Sequence, residues 1–341
     1  MEGYRIKFLL PPTQRSTPPP IPFLASETAL IDDLVRELLA KGAIRPIRAE
    51  DARFVSNLFL VAKKGSEKRR PVINLRRLNE FIPDQRFKME GWAEVKEAVT
   101  RGCFFARIDL KDAYLSVRMH EDSQPFLTFK WGGAMFCWTR LPFGLKSSPR
   151  VFTKLLKPVV ATLRREGIAL IVYLDDFLVV APSAATVEAH ARRTCHLLES
   201  LGYTVNTDKS HLSATQRVVF LGYNIDSVAM QLSVPGEKIQ QIRQSIRAIL
   251  AADTVTLRAL AGVLGRLNAL TTIVRSVRYH CTAIAGQLSR SSRSNRCWDA
   301  TVVLTDRVRS GDYSPLPRKP STAKTHHSER STGRKPITAN I

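Results

Sequence analysis

The stretch IALIVYLDDFLVVA, from Ile168 to Ala181, decides the fold of this chain. Its two halves are apolar and rich in β-branched and aromatic residues, a composition typical of buried strands. Asp175 and Asp176 lie between the halves. Adjacent carboxylates in apolar surroundings repel each other and lose hydration, and a divalent cation offsets both effects. The stretch therefore predicts a tight β-hairpin that presents acids to Mg²⁺. A solvent-facing turn between two strands is the alternative.

A third carboxylate precedes this hairpin in the sequence. Phe104 to Ile108 forms another apolar run, and Asp109 follows it directly. An acid at a strand end beside an Asp-Asp hairpin suits a two-metal site, in which ions about 3.5–4 Å apart hold the attacking and leaving oxygens of a phosphoryl transfer. The alternative is that Asp109 only caps its strand.

The charge of the chain indicates its partner. The 341 residues include 52 Lys and Arg against 30 Asp and Glu, which gives a net charge of +22. From Pro235 onward, 18 basic residues stand against 6 acidic ones. An excess this large and clustered favours a polyanionic partner, most simply nucleic acid, over a role in solubility alone.

Cysteine spacing and hydropathy indicate the compartment. The five cysteines are scattered without a C-x-x-C spacing, which favours reduced structural thiols over zinc ligands. No apolar window is long enough for a membrane span, and Pro11-Pro12 interrupts the N-terminal segment too early for a secretory signal. We therefore expect an intracellular protein of the cytoplasm or nucleus.

Local patterns divide the chain into four segments. Residues 1–25 are Pro-rich and are expected to be extended and poorly packed. Strands and helices alternate over 26–234, and the pattern of 235–288 is helical. Ser, Arg, Thr and Pro dominate 289–341, which predicts a disordered tail. The alternation over 26–234 predicts an α+β fold with helices on one face of a sheet and the carboxylates on the open face.

Five ordered motifs carry a family resemblance. They are LVAKKGSEKRRPVINLRRLN, RIDLKDAYLSVRM, LPFGLKSSP, YLDD and FLGYNI, and they cover about Phe54 to Ile225. The chain resembles a reverse transcriptase of the retroviral and retrotransposon type, and looks most like those of the tyrosine-recombinase (DIRS-type) retrotransposons. The resemblance implies a right-hand fingers–palm–thumb polymerase fold with an antiparallel palm sheet backed by helices. Fingers and palm would occupy 26–234, and a thumb 235–288.

The resemblance also implies a function. It is RNA-directed DNA synthesis, in which dNTPs extend a primer on an RNA or DNA template with two Mg²⁺ ions, or Mn²⁺ in their place. A catalytically dead copy that only binds nucleic acid is one alternative, and a nuclease using the same carboxylates is another.

Roles of single residues follow from matches to the family motifs. Asp109, Asp175 and Asp176 match the metal-binding catalytic carboxylates, and Lys209 matches a candidate proton donor to pyrophosphate. The nucleotide-binding positions are matched by Lys63, Arg70, Asp112, Ala113, Tyr114, Phe143 and Gly144. The segment that grips the primer is matched by Phe220, Leu221, Gly222 and Tyr223. Thumb cations that would contact phosphates are Arg243, Arg247, Arg258, Arg266, Arg275 and Arg278.

Several of these assignments compete with a plain structural role. Tyr114 could be a core residue beside the hairpin, Lys63 and Lys209 could be surface lysines, and 220–223 could be a hydrophobic core hairpin. Tyr114 would otherwise exclude a ribose 2′-hydroxyl. Gly262 and Gly265, in a predicted helix, suit either close approach of nucleic acid or tight helix packing.

Two departures from the family pattern set further expectations. Phe143 stands where retroviral enzymes often carry Gln, which removes a hydrogen-bond donor near the nucleotide. Relatives usually continue into a ribonuclease H domain, whereas the only acids after the predicted thumb are Asp299, Asp306, Asp312 and Glu329. We expect no working ribonuclease H in this chain. Its start at Met1 without a protease or coat segment suggests a fragment of a larger polyprotein.

Overall fold

The computed structural model describes residues 2–62, 69–274, 276–294, 297–310 and 338–339. The helices are α1 (Ala25–Ala40), α2 (Arg76–Asn79), α3 (Trp92–Ala98), α4 (Ser148–Arg165), α5 (Ala184–Ser200), α6 (Gly236–Ala251), α7 (Leu257–Leu270), α8 (Val277–Ser294) and α9 (Asp306–Ser310). The strands of the first 215 residues are β1 (Ile44–Pro46), β2 (Leu58–Ala62), β3 (Arg69–Ile73), β4 (Phe104–Lys111), β5 (Thr128–Trp131), β6 (Ala134–Trp138), β7 (Ala169–Tyr173), β8 (Asp176–Ala181), β9 (Thr204–Val205) and β10 (His211–Thr215). They are followed by β11 (Arg217–Phe220), β12 (Tyr223–Asp226), β13 (Gln231–Ser233), β14 (Thr254–Thr256), β15 (Thr301–Val303) and β16 (Thr338–Ala339).

The chain forms two compact units. The first comprises Met1–Gly91 and Ala106–Ala214, and the second comprises Trp92–Phe105 together with the chain after Ala214. In the described part of the chain, no helix is long and apolar enough to cross a bilayer.

The first unit is built on a central sheet with the strand order β10-β4-β8-β7, in which β9 also pairs with β4. Strands β7 and β8 are antiparallel, and so are β4 and β9. Helix α4 packs on β7 and helix α5 on β8. The sheet is therefore antiparallel in these pairs and backed by helices, as predicted.

Hydrophobic periodicity explains why α4 backs this sheet. Phe152, Leu156, Val160 and Leu163 recur every three or four residues, and all four are buried. Pro149 occupies the first turn, where its missing N–H would have no helical partner in any case. This stripe fixes the helix beneath the β7–β8 hairpin that carries the Asp pair.

The first unit also includes the N-terminal segment, which was expected to be poorly packed. The segment is extended, but Tyr4 bridges Met119 and Ile6 is only 5% exposed. The Phe8 ring lies 4.9 Å from the ring of Phe126. The expectation of poor packing was therefore wrong for Tyr4 to Phe8, because proline content says nothing about strand-like attachment to a distant segment, whereas Leu9, Leu10 and Leu24 are exposed.

The second unit joins a small sheet of β11, β12, β13 and β16 to a helical part formed by α6, α7 and α8. Strand β14 lies between α6 and α7 in sequence and pairs with β15. A cluster of buried side chains from these helices forms the core, among them Ile242, Leu260, Val263 and Ile284.

The structure differs from the predicted start of the tail at residue 289. Helix α8 continues to Ser294, and β15 and α9 follow. Leu304 and Val308 are 3% and 8% exposed in the core of the second unit. Residues 297–310 therefore complete the helical unit, whereas 311–337 lie outside the described residues.

Burial agrees with the structural role predicted for four of the five cysteines, whereas Cys297 is exposed. Cys103, Cys137, Cys195 and Cys281 are buried. Burial raises the pKa of each thiol, that of Cys195 to about 11. Thiols of this kind stay protonated and unreactive at neutral pH.

Candidate active site

The Asp pair lies at the turn between β7 and β8. Tyr173 pairs with Asp176 across the hairpin, so Leu174 and Asp175 alone form the turn. Leu174 has a φ of 57°, in the left-handed region that non-glycine residues rarely adopt. Such a conformation costs roughly 1 kcal/mol and persists only where surrounding contacts enforce it. The predicted hairpin is present, and Asp176 is already the first residue of β8.

Asp109 is held near this turn by a separate loop. Its side chain is almost buried, and Asn206 Nδ2 donates to Oδ1 at 2.8 Å. Lys209 Nζ lies 3.5 Å from the same oxygen, and the backbone N–H of Asp109 donates to Ser210 Oγ at 3.0 Å. Asn206 and Ser210 were missed from sequence because nothing local connects them to a residue a hundred positions earlier.

Asp175 is fixed through its backbone. Its carbonyl accepts a hydrogen bond from the N–H of Leu110 at 2.9 Å, so the turn is tied to the strand that carries Asp109. The side chain reaches the surface, but the protein crowds its other sides. This loss of hydration raises the pKa of Asp175, the charges of Asp109 and Asp176 raise it further, and Lys209 partly offsets them. Three carboxylates thus act on one another at this end of the sheet.

Asp176 has a strong partner of its own. Arg107 Nε donates to Oδ1 at 2.8 Å and Nη2 donates to Oδ2 at 3.0 Å. Arg107 precedes Asp109 by two residues and therefore lies on the same face of β4. The sequence did carry a signal here, since Arg107 is a charged residue inside the apolar run from Phe104 to Ile108.

The carboxylates do not form a closed cage. Among the described residues, no three His, Cys, Asp or Glu side chains are grouped closely enough to hold an ion. The reason is visible in their partners, because Asp109 faces Asn206 and Lys209 while Asp176 faces Arg107.

An aromatic group lies beside the turn. Tyr114 is 8% exposed, with its ring 4.9 Å from that of Phe143 and 5.5 Å from that of Phe152. Burial raises the pKa of Tyr114 to about 12, and the charge of Asp175 contributes. Tyr114 is thus both a core residue and a neighbour of Asp175, while Phe143 is 41% exposed.

The loop with Phe143 and Gly144 is fixed by contacts with β3 and with Asn79. Gly144 has a φ of 95°, and a Cβ there would lie 3.2 Å from the carbonyl oxygen of Ile73. Asn79 donates to the Gly144 carbonyl and accepts from the N–H of Lys146, both at 2.8 Å. Glycine is therefore required by the backbone and by the close approach of β3.

The other candidate nucleotide-binding residues are either already engaged, buried, or only partly described by the structure. Asp112 has a φ of 50°, and its carboxylate accepts from Lys41 at 2.7 Å, so the carboxylate is already engaged. Ala113 is buried in the short turn that follows. Arg70 lies in β3, paired with Val61 of β2. Its side chain lies outside the described residues, as does Lys63.

The predicted primer-gripping segment is a hairpin of the second unit. Phe220 and Tyr223 pair across it and are 1% and 4% exposed, so they are core residues. Leu221 and Gly222 form the turn, with φ values of 49° and 78°, as a type I′ turn requires. Lys238 lies over the Tyr223 ring, 4.4 Å from its centre. Only the turn itself could reach a nucleic acid.

Among the six candidate arginines of the helical unit, Arg275 lies outside the described residues, and Arg258 and Arg266 differ in their partners. Arg258 forms a bidentate ion pair with Asp299 at 2.8 and 3.0 Å. Arg266 is exposed, and its guanidinium lies 3.6 Å from where a Cβ on Gly262 would stand. Among the described residues, a Cβ on Gly265 would meet no atom within 4 Å. Tight helix packing therefore does not explain these glycines, and α7 presents an open surface there.

Solved structures with the same architecture belong to foamy viral protease–reverse transcriptase. The complex of its dRH form with double-stranded DNA matches 83% of this chain and 48% of its own, with a TM-score of 0.67 at 21% identity. The complex with an RNA/DNA hybrid matches 82% of this chain and 37% of its own, with a TM-score of 0.61 at 21% identity. The fold is therefore that of a right-hand polymerase.

Sequence comparison identifies the domain. Residues 61–225 match the family described as "Reverse transcriptase (RNA-dependent DNA polymerase)". The Gag-Pol polyprotein of gibbon ape leukemia virus is 30% identical over 198 residues, which are 55% of this chain and 12% of that polyprotein. That of koala retrovirus is 31% identical over 175 residues, 49% of this chain and 10% of the polyprotein. Residues 61–225 therefore match a reverse transcriptase domain of retroviral type, and the chain spans about a tenth of the length of these relatives.

Proposed function

We propose that this chain extends a primer with dNTPs on an RNA or DNA template. The observation that carries the proposal is the Leu174–Asp175 turn, which is tied to β4 beside the almost buried Asp109. The carboxylate of Asp109 on β4 and that of Asp175, in the turn before the neighbouring strand β8, are then close enough for their charges to interact. The pKa of Asp175 is raised first by lost hydration and further by the charges of Asp109 and Asp176.

The donor set fits a divalent ion such as Mg²⁺ or Mn²⁺. Carboxylate oxygens are the ligands that these hard cations prefer, and the turn leaves Asp175 accessible. Lys209 lies opposite Asp109 at a distance longer than a strong hydrogen bond, so its exposed ammonium group can move aside. When bound, the ions would activate the primer 3′-hydroxyl and neutralise charge on the departing pyrophosphate.

The surrounding residues position the substrate in this proposal. Tyr114, fixed by Phe152 and Phe143, would lie under the sugar of the incoming nucleotide and exclude a 2′-hydroxyl. Asp112 and Ala113 would contribute backbone groups, since the Asp112 carboxylate is bound to Lys41. Arg70 and Lys63 would bind the triphosphate, and Lys209 would donate a proton to pyrophosphate.

The proposed nucleic-acid partner is supported by charge and by the solved relatives. The net charge of +22 favours a polyanion. The foamy viral enzymes were solved with double-stranded DNA and with an RNA/DNA hybrid. In this chain we assign the duplex contact to the open surface of α7 at Gly262, Gly265 and Arg266, and the primer contact to the turn at Leu221 and Gly222.

The source of the domain is also a proposal. We infer a retrotransposon polyprotein of the tyrosine-recombinase type from the segment LPFGLKSSPRVFTKLLKPVVATLRREGI, in which Phe143 replaces the Gln of many retroviral enzymes. The relatives reported above are retroviral, and they support the reverse transcriptase domain without distinguishing this subfamily.

Primer extension tests the proposed function. The substrate is a poly(rA)/oligo(dT) duplex with dTTP, with and without Mg²⁺, and the variant is Asp175→Asn. We expect metal-dependent extension by the wild type and a loss of at least about 10³-fold in the variant, because the variant removes a charge that the transition state requires. Asp33→Asn makes the same chemical change on the exposed surface of α1 and should extend normally.

Duplex binding separates the alternatives. Asp175→Asn should keep salt-sensitive binding, because its carboxylate contacts no phosphate in this proposal. Wild-type binding without any extension would identify a catalytically dead copy, and metal-dependent cleavage of the duplex would identify a nuclease. Loss of binding together with extension in Asp175→Asn would contradict the role given to Asp175.

A further inference from the structure

The ion pair between Arg107 and Asp176 stands apart from the other ion pairs of the catalytic end. It uses both nitrogen–oxygen contacts of a planar fork, at 2.8 and 3.0 Å. The side chains are only 27% and 21% exposed, so water screens the pair weakly. Charge-assisted bidentate pairs of this kind are among the strongest hydrogen-bonded contacts in proteins.

This pairing leaves Asp176 poorly suited to bind a cation. The Arg107 guanidinium keeps its positive charge at every relevant pH and engages both carboxylate oxygens. A divalent ion at Asp176 would have to break two charge-assisted hydrogen bonds and remain beside the released guanidinium.

Asp109 has a much more easily displaced partner. Lys209 Nζ lies 3.5 Å from Oδ1, and the lysine side chain is 53% exposed. A flexible ammonium at this distance can leave when a stronger cation arrives, whereas the amide of Asn206 can stay and orient the carboxylate. Asp109 and Asp176 both have a basic partner, but only the partner of Asp109 can be displaced easily by a cation.

The Arg107 pair also explains how a strained turn keeps its place. Leu174 has a φ of 57°, and Asp176 follows the turn directly. The carbonyl of Asp175 accepts from Leu110 of β4, and the side chain of Asp176 is bound to Arg107 of the same strand. Asp175 is thus fixed to β4 on both sides, which sets its position relative to Asp109.

We propose that Arg107 is a positioning residue that holds Asp176 as an anchor for the turn and leaves Asp109 and Asp175 as the carboxylates that bind divalent cations. The proposal rests on the proposed function for its catalytic meaning. The cation-binding part can be tested without catalysis.

Two charge-neutral double variants of the full chain make a matched test. Arg107→Gln with Asp176→Asn removes one positive and one negative charge and keeps an amide–amide hydrogen bond available. Asp109→Asn with Lys209→Gln does the same at the other pair. Because each variant leaves the net charge unchanged, a difference between them reports ligation rather than the general field.

Mn²⁺ titration followed by electron paramagnetic resonance is the readout. We expect the Arg107/Asp176 variant to bind Mn²⁺ within about twofold of wild type, because the amide–amide hydrogen bond keeps the turn in place and no proposed cation ligand is lost. The Asp109/Lys209 variant should lose at least about tenfold in affinity, as loss of a metal-site group does. Equal losses in the two variants would overturn the proposal, and so would no loss in either.

Primer extension supplies the positioning readout. Arg107→Gln alone should lower kcat with little change in KM for dTTP, because the turn loosens while the nucleotide contacts remain. Arg107→Lys should recover part of kcat, and the Arg107/Asp176 double variant should exceed Arg107→Gln alone. A double variant slower than Arg107→Gln alone would contradict the anchor role. Thermal unfolding and duplex affinity control for misfolding.

The two proposals fail differently. A wild-type chain that binds Mn²⁺ but never extends a primer would remove the proposed function and leave the carboxylate assignment standing. If the wild type extends primers but the Arg107/Asp176 variant loses Mn²⁺ binding, the proposed function stands. The assignment of Asp176 as an anchor is then wrong.

Discussion

At the residue scale, the charge of an ionised Asp175 lowers the stability of the folded chain. Its pKa is raised by lost hydration and by the charges of Asp109 and Asp176. The folded state therefore binds more protons than the unfolded state between the ordinary aspartate pKa and the raised value. Stability falls as the pH rises through that window and stays lower above it, so an ionised Asp175 destabilises the metal-free protein at neutral pH.

Asp175→Asn should therefore raise the melting temperature of the metal-free chain at pH 7. The side chain is exposed, so solvent screening limits the gain to under about 1 kcal/mol, or roughly 1–3 °C. The measurement is thermal unfolding in EDTA at pH 7 and again near pH 4, where the difference should shrink because Asp175 takes up a proton. A variant less stable than wild type at pH 7 would show that repulsion is not the main effect at this position.

Added Mg²⁺ gives the converse result. A ligand that binds only the folded state stabilises it by mass action, so wild type should gain stability with Mg²⁺ and Asp175→Asn should gain less. Asp33→Asn, on an exposed helix, should respond as wild type does. Equal responses in all three chains would indicate that the ion binds elsewhere.

The three carboxylates could be found from sequence, but their partners could not. Asp109, Asp175 and Asp176 interrupt or end apolar runs, and a charge in such a place carries a local signal. Arg107 pairs with a residue 69 positions away, and Asn206 with one 97 positions away. Such pairings depend on strand order and register, which period-two patterns do not determine.

At the element scale, the region after helix α8 is part of the helical unit. Leu304 and Val308 are buried in its core, and Gln287 donates to the Val303 carbonyl and accepts from Thr305. Arg309 donates to the carbonyls of Leu250 and Ala252 at the end of α6, where helical carbonyls have no partner of their own. Composition concealed this role because the Ser and Arg residues of the whole 289–341 segment outweigh the apolar residues of 297–310.

A chain that ends at residue 296 should unfold at a lower temperature than one that ends at Ser310. The shorter chain loses buried Leu304 and Val308, and deletions of this kind cost about 2–5 kcal/mol for each large side chain. Circular dichroism with temperature compares the two, and Leu304→Ala in the longer chain should give part of the loss. Equal melting temperatures would mean that β15 and α9 do not stabilise α6–α8.

At the scale of the whole molecule, charge should govern duplex affinity. If Arg243, Arg247, Arg266, Arg275 and Arg278 each neutralise a phosphate, log K against log salt should have a slope of about −4 to −5. Arg266→Gln should reduce the slope by about one. Fluorescence anisotropy with a labelled duplex, at salt concentrations from about 50 to 200 mM, measures the slopes of the wild type and of Arg266→Gln.

The Arg258–Asp299 pair is the matched control for this series. Its two charges already satisfy each other at 2.8 and 3.0 Å, so Arg258→Gln with Asp299→Asn should leave the slope unchanged. A slope reduced by one in this double variant would return Arg258 to the set of phosphate contacts. If Arg266→Gln leaves the slope unchanged, the open surface of α7 does not contact phosphates.

The central sheet has a further consequence for synthesis of the chain. Asp109 hydrogen-bonds Ser210, which lies 101 residues later, and β4 pairs with β9 and β10 beyond residue 203. At ribosomal rates of about 5–20 residues per second, β4 waits roughly 5–20 s before these partners leave the exit tunnel. During that interval Phe104–Ile108 is a nascent apolar strand with an open edge, which chaperones bind and aggregates recruit. The end of the sheet that carries Asp109 and Asp175 is therefore among the last parts of the first unit to be assembled.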